Sequence, residues 1–241
     1  AGLKHVSTGY FFPDQLAYEN IAAFSNLVRA VQACGTVEMV LLCSSDKAAQ
    51  PTSTMGVSKR LLEVICQNLE GARTKFFSVR FGNILHSSGS LTEVIENGLR
   101  DRATIFIRDI HMTRYVMTKR DVTNLVMGAM ANARTGDIWS MDVPSVRVKN
   151  LIDVLVAQGK GARSSIGRGV NRFGENIHES LFNESEIGNV RRRKGFLVYN
   201  KNTAGNLSRD EKQRVLSSRN ALISRKLLEQ LLRNETRSPL A

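Results

Sequence analysis

Cysteine and histidine are scarce in this 241-residue chain, and each scarcity removes a class of protein. Cys34, Cys43 and Cys66 are odd in number and lie within apolar stretches, which suits buried, reduced thiols and excludes a disulfide framework. His5, His86, His111 and His178 are scattered, with neither Cys-x-x-Cys nor His-Glu-x-x-His spacing, so no metal site is expected. No apolar run approaches the roughly 18 residues that a membrane span needs, and residues 1–10 carry neither a basic n-region nor an apolar h-region. The expected compartment is therefore the cytoplasm, with no membrane partner. Internal repeats and sustained heptads are also missing, which removes solenoids and long coiled coils.

What is present is enough apolar material, 42% of residues, to bury a substantial core. The charge is lopsided: 34 basic against 22 acidic side chains leaves +12, which attracts phosphates of any kind. Arg191-Arg192-Arg193-Lys194 is the dense basic run, yet no aromatics interleave with it. It reads as solvated surface, and a nucleic-acid partner is not expected.

Along the chain, apolar residues at helical spacing predict a helix over residues 14–33, with Gly35 where it would stop. Residues 37–43, VEMVLLC, form an apolar run of strand length with little polar interruption, expected to be a parallel strand covered on both faces. A polar loop follows, then an amphipathic helix from Met55. The alternation of Phe77, Val79 and Phe81 predicts a strand over 75–81, which Gly82-Asn83 breaks where a ligand-facing loop could begin. Helices are expected over 91–99, 120–131 and 148–157, and short strands over 104–107 and 137–141. Residues 158–174, rich in glycine and arginine, read as a loop over a site, and residues 209–234 as one long basic helix for docking or oligomerisation. The rhythm of strand, loop and helix places the chain in the α/β class.

Five motifs stand in order: AGLKHV (1–6), SSDKAAQPTSTMGVSKR (44–60), RFGNILHSSGS (80–90), MTRYVM (112–117) and NRFGENIHESL (171–181). Together they resemble the extended short-chain dehydrogenases of capsule and lipopolysaccharide synthesis, the inverting UDP-N-acetylglucosamine 4,6-dehydratases in particular. The resemblance implies a Rossmann-type parallel sheet binding NADP or NAD, and a smaller C-terminal lobe over a UDP-sugar. On that frame residues 1–145 are a partial Rossmann domain with the catalytic loop, 146–200 supply lobe segments, and 201–241 form a basic helical tail. The family opens with a strand, a glycine-rich turn and a helix for the cofactor pyrophosphate, which do not precede Ala1 here. The chain is accordingly expected to be a fragment, to draw that half from a partner or a homo-oligomer, or to have lost cofactor binding.

The resemblance also implies roles. Elimination of water across C5 and C6 of a hexose needs a hydride acceptor at C4, a base for the C5 proton and an acid for the 6-hydroxyl. Asp46 matches the acid and Lys47 the base, with Lys59 a candidate for the neighbouring cation that lowers the lysine pKa. Ser45 matches the hydroxyl that hydrogen-bonds the 4-oxygen. Met55 replaces the tyrosine of the Tyr-x-x-x-Lys motif, whose lysine is Lys59. Lys59, Ser44 and Asn20 are assigned to the cofactor, and Lys4, Asn83, Ser90, Arg114, Arg172 and Glu175 to the substrate. Two departures stand out: Asn176, where the family has lysine after Gly-Glu, and Ala23-Phe24, where it has glycine and a small residue. A 4-epimerase of the same superfamily and a non-catalytic nucleotide-sugar-binding relic are the competing readings, and the Asp46-Lys47 pair favours dehydration.

Overall fold

A computed structural model describes residues 2–69, 73–158, 166–168 and 174–236. The chain begins with α1 (Val6–Phe11) and α2 (Pro13–Ala17), which runs through a π-helical turn at Tyr18–Ala22 into α3 (Ala23–Cys34). Gly35 stops α3 in the left-handed region, φ 68°, which a residue lacking Cβ enters without strain. Then come β1 (Met39–Ser45), α4 (Thr54–Gln67), β2 (Lys75–Phe81), β3 (Asn83–Ile84), α5 (Leu91–Arg100), β4 (Ile105–Ile107), β5 (Thr113–Met117) and α6 (Lys119–Asn132). The remainder is β6 (Ile138–Met141), β7 (Ser145–Arg147), α7 (Val148–Ala157), β8 (Ile166–Arg168), β9 (Val190–Arg193), β10 (Phe196–Tyr199), α8 (Arg209–Leu216) and α9 (Arg225–Thr236).

The main sheet has the order β1-β2-β6-β10-β9, parallel from β1 to β6 and antiparallel through β10 and β9. This is the α/β Rossmann-like arrangement expected from the alternation of elements. Beside it, β3-β5-β7 form a small sheet, and β4 pairs with β8. The expectation that β1 is covered on both faces is corrected. Leu42 and Ser44 are buried on one face, whereas on the other Met39 and Leu41 are half-buried against the apolar cluster around Trp139 and Cys43 is exposed, so that face is covered only in part. Of the three thiols only Cys66 is buried, so Cys34 and Cys43 depart from the buried reading, and all three are free.

Three apolar clusters hold these layers together. Phe24, Val28 and Val31 of α3 meet Leu42, Leu62, Cys66 and Phe76 on the β1 side, so the Phe24 ring does point inward, into the helix-sheet seam. Trp139, Phe77, Val198 and Phe182 centre the second cluster, across the main sheet. The third joins α5 and α7 with Leu228 and Leu232 of α9.

The C-terminal segment departs from the sequence reading in two ways. The long helix expected over 209–234 is broken between α8 and α9, because Ser145 N donates to Ala221 O at 2.8 Å and Ile223 N to Ser145 O at 3.0 Å. These backbone bonds to β7 outweigh one more helical turn. It is also core, not an independent tail, since Val215, Leu228 and Leu232 are buried. The basic run 191–194 forms β9 and its turn, where Arg192 pairs with Asp142 and Glu211. Residues 146–200, expected to be lobe, therefore return to the main sheet at β9 and β10.

Candidate active site

The site is built at the C-terminal end of β1, where open parallel sheets place their ligands. Ser45 leaves the strand extended, and a single 3-10 turn, Asp46–Ala48, follows. Within it the Ser45 hydroxyl donates to Asp46 Oδ1 at 2.8 Å and accepts from Lys47 N at 3.3 Å. Helix α4 starts at Thr54, after residues 49–53, capped by Ser53 Oγ, which accepts from Gly56 N at 3.1 Å. Gly56 lets the helix sit close to that turn: a Cβ there would lie 2.6 Å from Lys47 O.

Lys47 Nζ donates to Asp46 Oδ1 at 3.0 Å and lies 3.4 Å from Glu179 Oε1. Asp46 is 1% exposed, and its Oδ2 is buried with no hydrogen-bond partner among the described residues. Burial lowers the Lys47 pKa, but the carboxylates of Asp46 and Glu179 outweigh both it and Arg114, so the lysine is held above its ordinary value. The neighbouring cation expected at Lys47 is not Lys59. Arg114 is the cation acting on it, and Lys59 Nζ donates elsewhere, to Cys43 O at 3.0 Å.

Glu179 was missed as a site residue, although it lies in the NRFGENIHESL motif. It is 1% exposed and also stands 3.9 Å from Arg114 Nε. Arg114 is itself buried and tied to the 175–179 segment, through Glu175 Oε1 at 3.1 Å and Ile177 O at 3.2 Å. Read singly, Arg114 and Glu175 look like surface charges; together they clasp this segment onto β5. Asn176 faces Glu179 Oε2 at 3.4 Å, Gln50 O at 3.1 Å and the Thr52 hydroxyl at 3.1 Å.

Around this centre the other expected residues fall into two groups. Asn20 is 3% exposed and pins the first motif to α4: Oδ1 accepts from Leu3 N at 2.7 Å, and Nδ2 donates to Leu3 O at 3.0 Å and Ser58 Oγ at 3.1 Å. Ser44 Oγ donates to Glu63 Oε1 at 2.6 Å, and the Met55 side chain is buried. The second group shares a cleft, where Asn83, Ser90 and Arg114 meet apolar Leu85, Val116 and Leu151. Ser90 caps α5 by accepting from Glu93 N at 3.2 Å, and Lys4 reaches the same turn through Ser88 O at 2.8 Å. Arg172 and most of the loop 158–174 lie outside the described residues.

Residues 1–200 match the model of a family described as polysaccharide biosynthesis protein. The chain belongs to that family. The chain is 32% identical over 193 residues to the capsular polysaccharide biosynthesis protein CapD of Staphylococcus aureus, covering 78% of this chain and 32% of CapD. It is 31% identical over 194 residues to a UDP-glucose 4-epimerase of Rickettsia bellii, covering 78% of this chain and 55% of that protein. It thus spans about a third to a little over half of these curated relatives. Among solved structures, Pen from Bacillus thuringiensis superposes with a TM-score of 0.86 at 26% identity, covering 98% of this chain and 74% of Pen. The dTDP-glucose 4,6-dehydratase DesIV from Streptomyces venezuelae, solved with NAD, superposes at 0.65 and 16% identity, covering 97% of this chain and 70% of DesIV, a likeness of fold alone.

The donor set of this family member at the end of β1 fits a nicotinamide ribose. Lys59 carries three N–H donors on its ammonium, with the hydroxyl of Ser45 on the same strand end. Burial holds the Lys59 pKa below the ordinary lysine value. Among the described residues no cluster of His, Cys, Asp and Glu could hold a metal ion, and no helix is long and apolar enough to cross a membrane.

Proposed function

We propose that this family member carries the catalytic loop of an NAD(P)-dependent 4,6-dehydratase acting on UDP-N-acetylglucosamine in surface polysaccharide synthesis. The observation that supports it best is the buried Asp46 carboxylate, with one oxygen on Lys47 Nζ and the other without a hydrogen-bond partner among the described residues. A bound nicotinamide would supply the acceptor that takes the C4 hydride and returns it at C6. Lys59 holds the ribose, and Ser45 hydrogen-bonds the sugar 4-oxygen; Met55 has no proton to exchange.

The raised Lys47 pKa bears on how the pair would work. A protonated lysine cannot take the C5 proton. Passing one proton from Nζ to Asp46 Oδ1, across 3.0 Å, converts the ion pair into neutral amine and carboxylic acid without changing the net charge. Covering the pair with substrate removes water and favours this neutral form. Lys47 then takes the C5 proton and Asp46 protonates the leaving 6-hydroxyl, so that one water departs. Asn83, Ser90, Arg114 and Lys4 would hold the nucleotide diphosphate, with Arg172 from the loop, and Glu175 would accept from the ribose or uracil.

The test is mass spectrometry of UDP-N-acetylglucosamine incubated with the protein and NADP or NAD in heavy water. Loss of one water with solvent deuterium at C5, abolished by Lys47→Ala, is the expected result. Inversion at C4 without water loss would replace this reading by a 4-epimerase, the activity by which the Rickettsia bellii relative is named. Failure to change any UDP-sugar would leave a nucleotide-sugar-binding protein.

A further inference from the structure

Glu179 belongs to neither the strand end nor the turn that carry Asp46 and Lys47, yet its carboxylate is 2% exposed and 3.4 Å from Lys47 Nζ. Such burial needs anchorage. Ser218, itself fully buried, provides it from the C-terminal segment: Ser218 N donates to Glu179 O at 2.8 Å, and Glu179 N donates to Ser218 Oγ at 2.9 Å. The Ser218 hydroxyl is in turn 2.6 Å from Thr113 Oγ1, on the strand that bears Arg114. Two bonds to the Glu179 backbone, from Ser218 N and to the buried Ser218 hydroxyl, thus anchor this irregular segment where the carboxylate meets Lys47.

We propose that Glu179 is a positioning residue for the Asp46–Lys47 pair, holding the Lys47 ammonium in place. This rests on the proposed role of that pair. The charged groups facing Lys47 are Asp46 from its own turn, Glu179 from the segment after the loop, and Arg114 from β5. Two carboxylates face two cations, and Asn176, beside Glu179 Oε2, contributes an amide where a cation would offset the carboxylate. The charge of Glu179 is therefore felt by Lys47, and it sets how readily the lysine gives up its proton. The C-terminal segment becomes part of the site, because without Ser218 nothing in β5 holds the Glu179 backbone by the same pair of bonds.

The experiment reads Lys47 directly, without turnover. Carbamoylation of Lys47 by cyanate, followed by peptide mass spectrometry across a pH series, reports its neutral fraction, since only the amine reacts. In Glu179→Gln the midpoint falls by about one pH unit, making Lys47 about tenfold more reactive below it, as expected for loss of a carboxylate within 4 Å. Asn176→Lys, which adds a cation at a half-buried position, moves it the same way and serves if Glu179→Gln does not fold; Glu179→Asp restores most of the wild-type midpoint. An unchanged midpoint in the folded Glu179→Gln and Asn176→Lys proteins would overturn the proposal. A shifted midpoint in a protein that dehydrates no sugar would uphold the positioning of Lys47 and sink only the dehydratase reading.

Discussion

Replacing Arg80 by methionine should be among the most damaging single changes outside the site. Its guanidinium is fully buried and donates to Glu63 Oε2 at 2.6 Å and Oε1 at 2.8 Å, to Glu186 Oε2 at 2.7 Å and Oε1 at 2.8 Å, and to Leu181 O at 2.9 Å. Methionine keeps most of the apolar volume but leaves two carboxylates, each no more than 1% exposed, with Arg60 as their remaining cation. Breaking a buried pair from one side costs about 3–5 kcal/mol, because the stranded charge keeps its desolvation penalty. That is a large part of the roughly 5–15 kcal/mol by which domains are stable, and corresponds to a melting point lower by about 10 °C in a chain of this size. Urea unfolding of wild type and Arg80→Met measures it. Adding Glu63→Gln and Glu186→Gln should recover most of the loss, since neutral amides strand no charge. A loss below about 1 kcal/mol, or no recovery in the triple variant, would refute the stranded-charge account.

The same network fixes the acid side of stability. Burial would raise the Glu186 pKa, but Arg80 and Arg60 outweigh it and hold the carboxyl below the usual range. Its contribution is therefore complete above the unfolded value of about 4.3 and is lost as pH falls through the lower folded value, so the stability gap between wild type and Arg80→Met should narrow as pH falls through that range, because protonation relieves the stranded carboxylates. Gly56→Ala should push α4 off the Asp46 turn, costing about 1–3 kcal/mol and lowering kcat more than KM, as steady-state assays and denaturation would show; an unchanged protein would mean the close approach is slack. Thr118→Ala should cost about 1 kcal/mol in a thermal melt, because Thr118 and Asp121 form a reciprocal capping box at the start of α6. Asp46→Asn should reduce water loss by about a hundredfold or more, read by the same mass spectrometry, and retained activity would remove Asp46 as the acid.

Local chemistry by itself determined much of this protein. The run VEMVLLC, the Phe77-Val79-Phe81 alternation and the stop at Gly35 each carry their period or backbone preference within a few residues, so β1, β2 and the end of α3 could be read directly. The order of motifs brought Asp46, Lys47, Lys59, Asn83, Ser90 and Arg114 into view as candidates. What tertiary structure alone decided is who faces whom. The hairpin of β9 and β10 was illegible because arginines interrupt its pattern, and the heads of Arg192 and Arg193 are met by Asp142, Glu211 and Asn132 from other elements. The helix expected over 209–234 broke because β7 offered its backbone partners. Lys47 was expected to have Lys59 as its neighbouring cation, and instead meets Arg114 and a carboxylate delivered by a distant segment. Charges act through space at 3–4 Å, and spacing along the chain says nothing of that distance until the elements have packed.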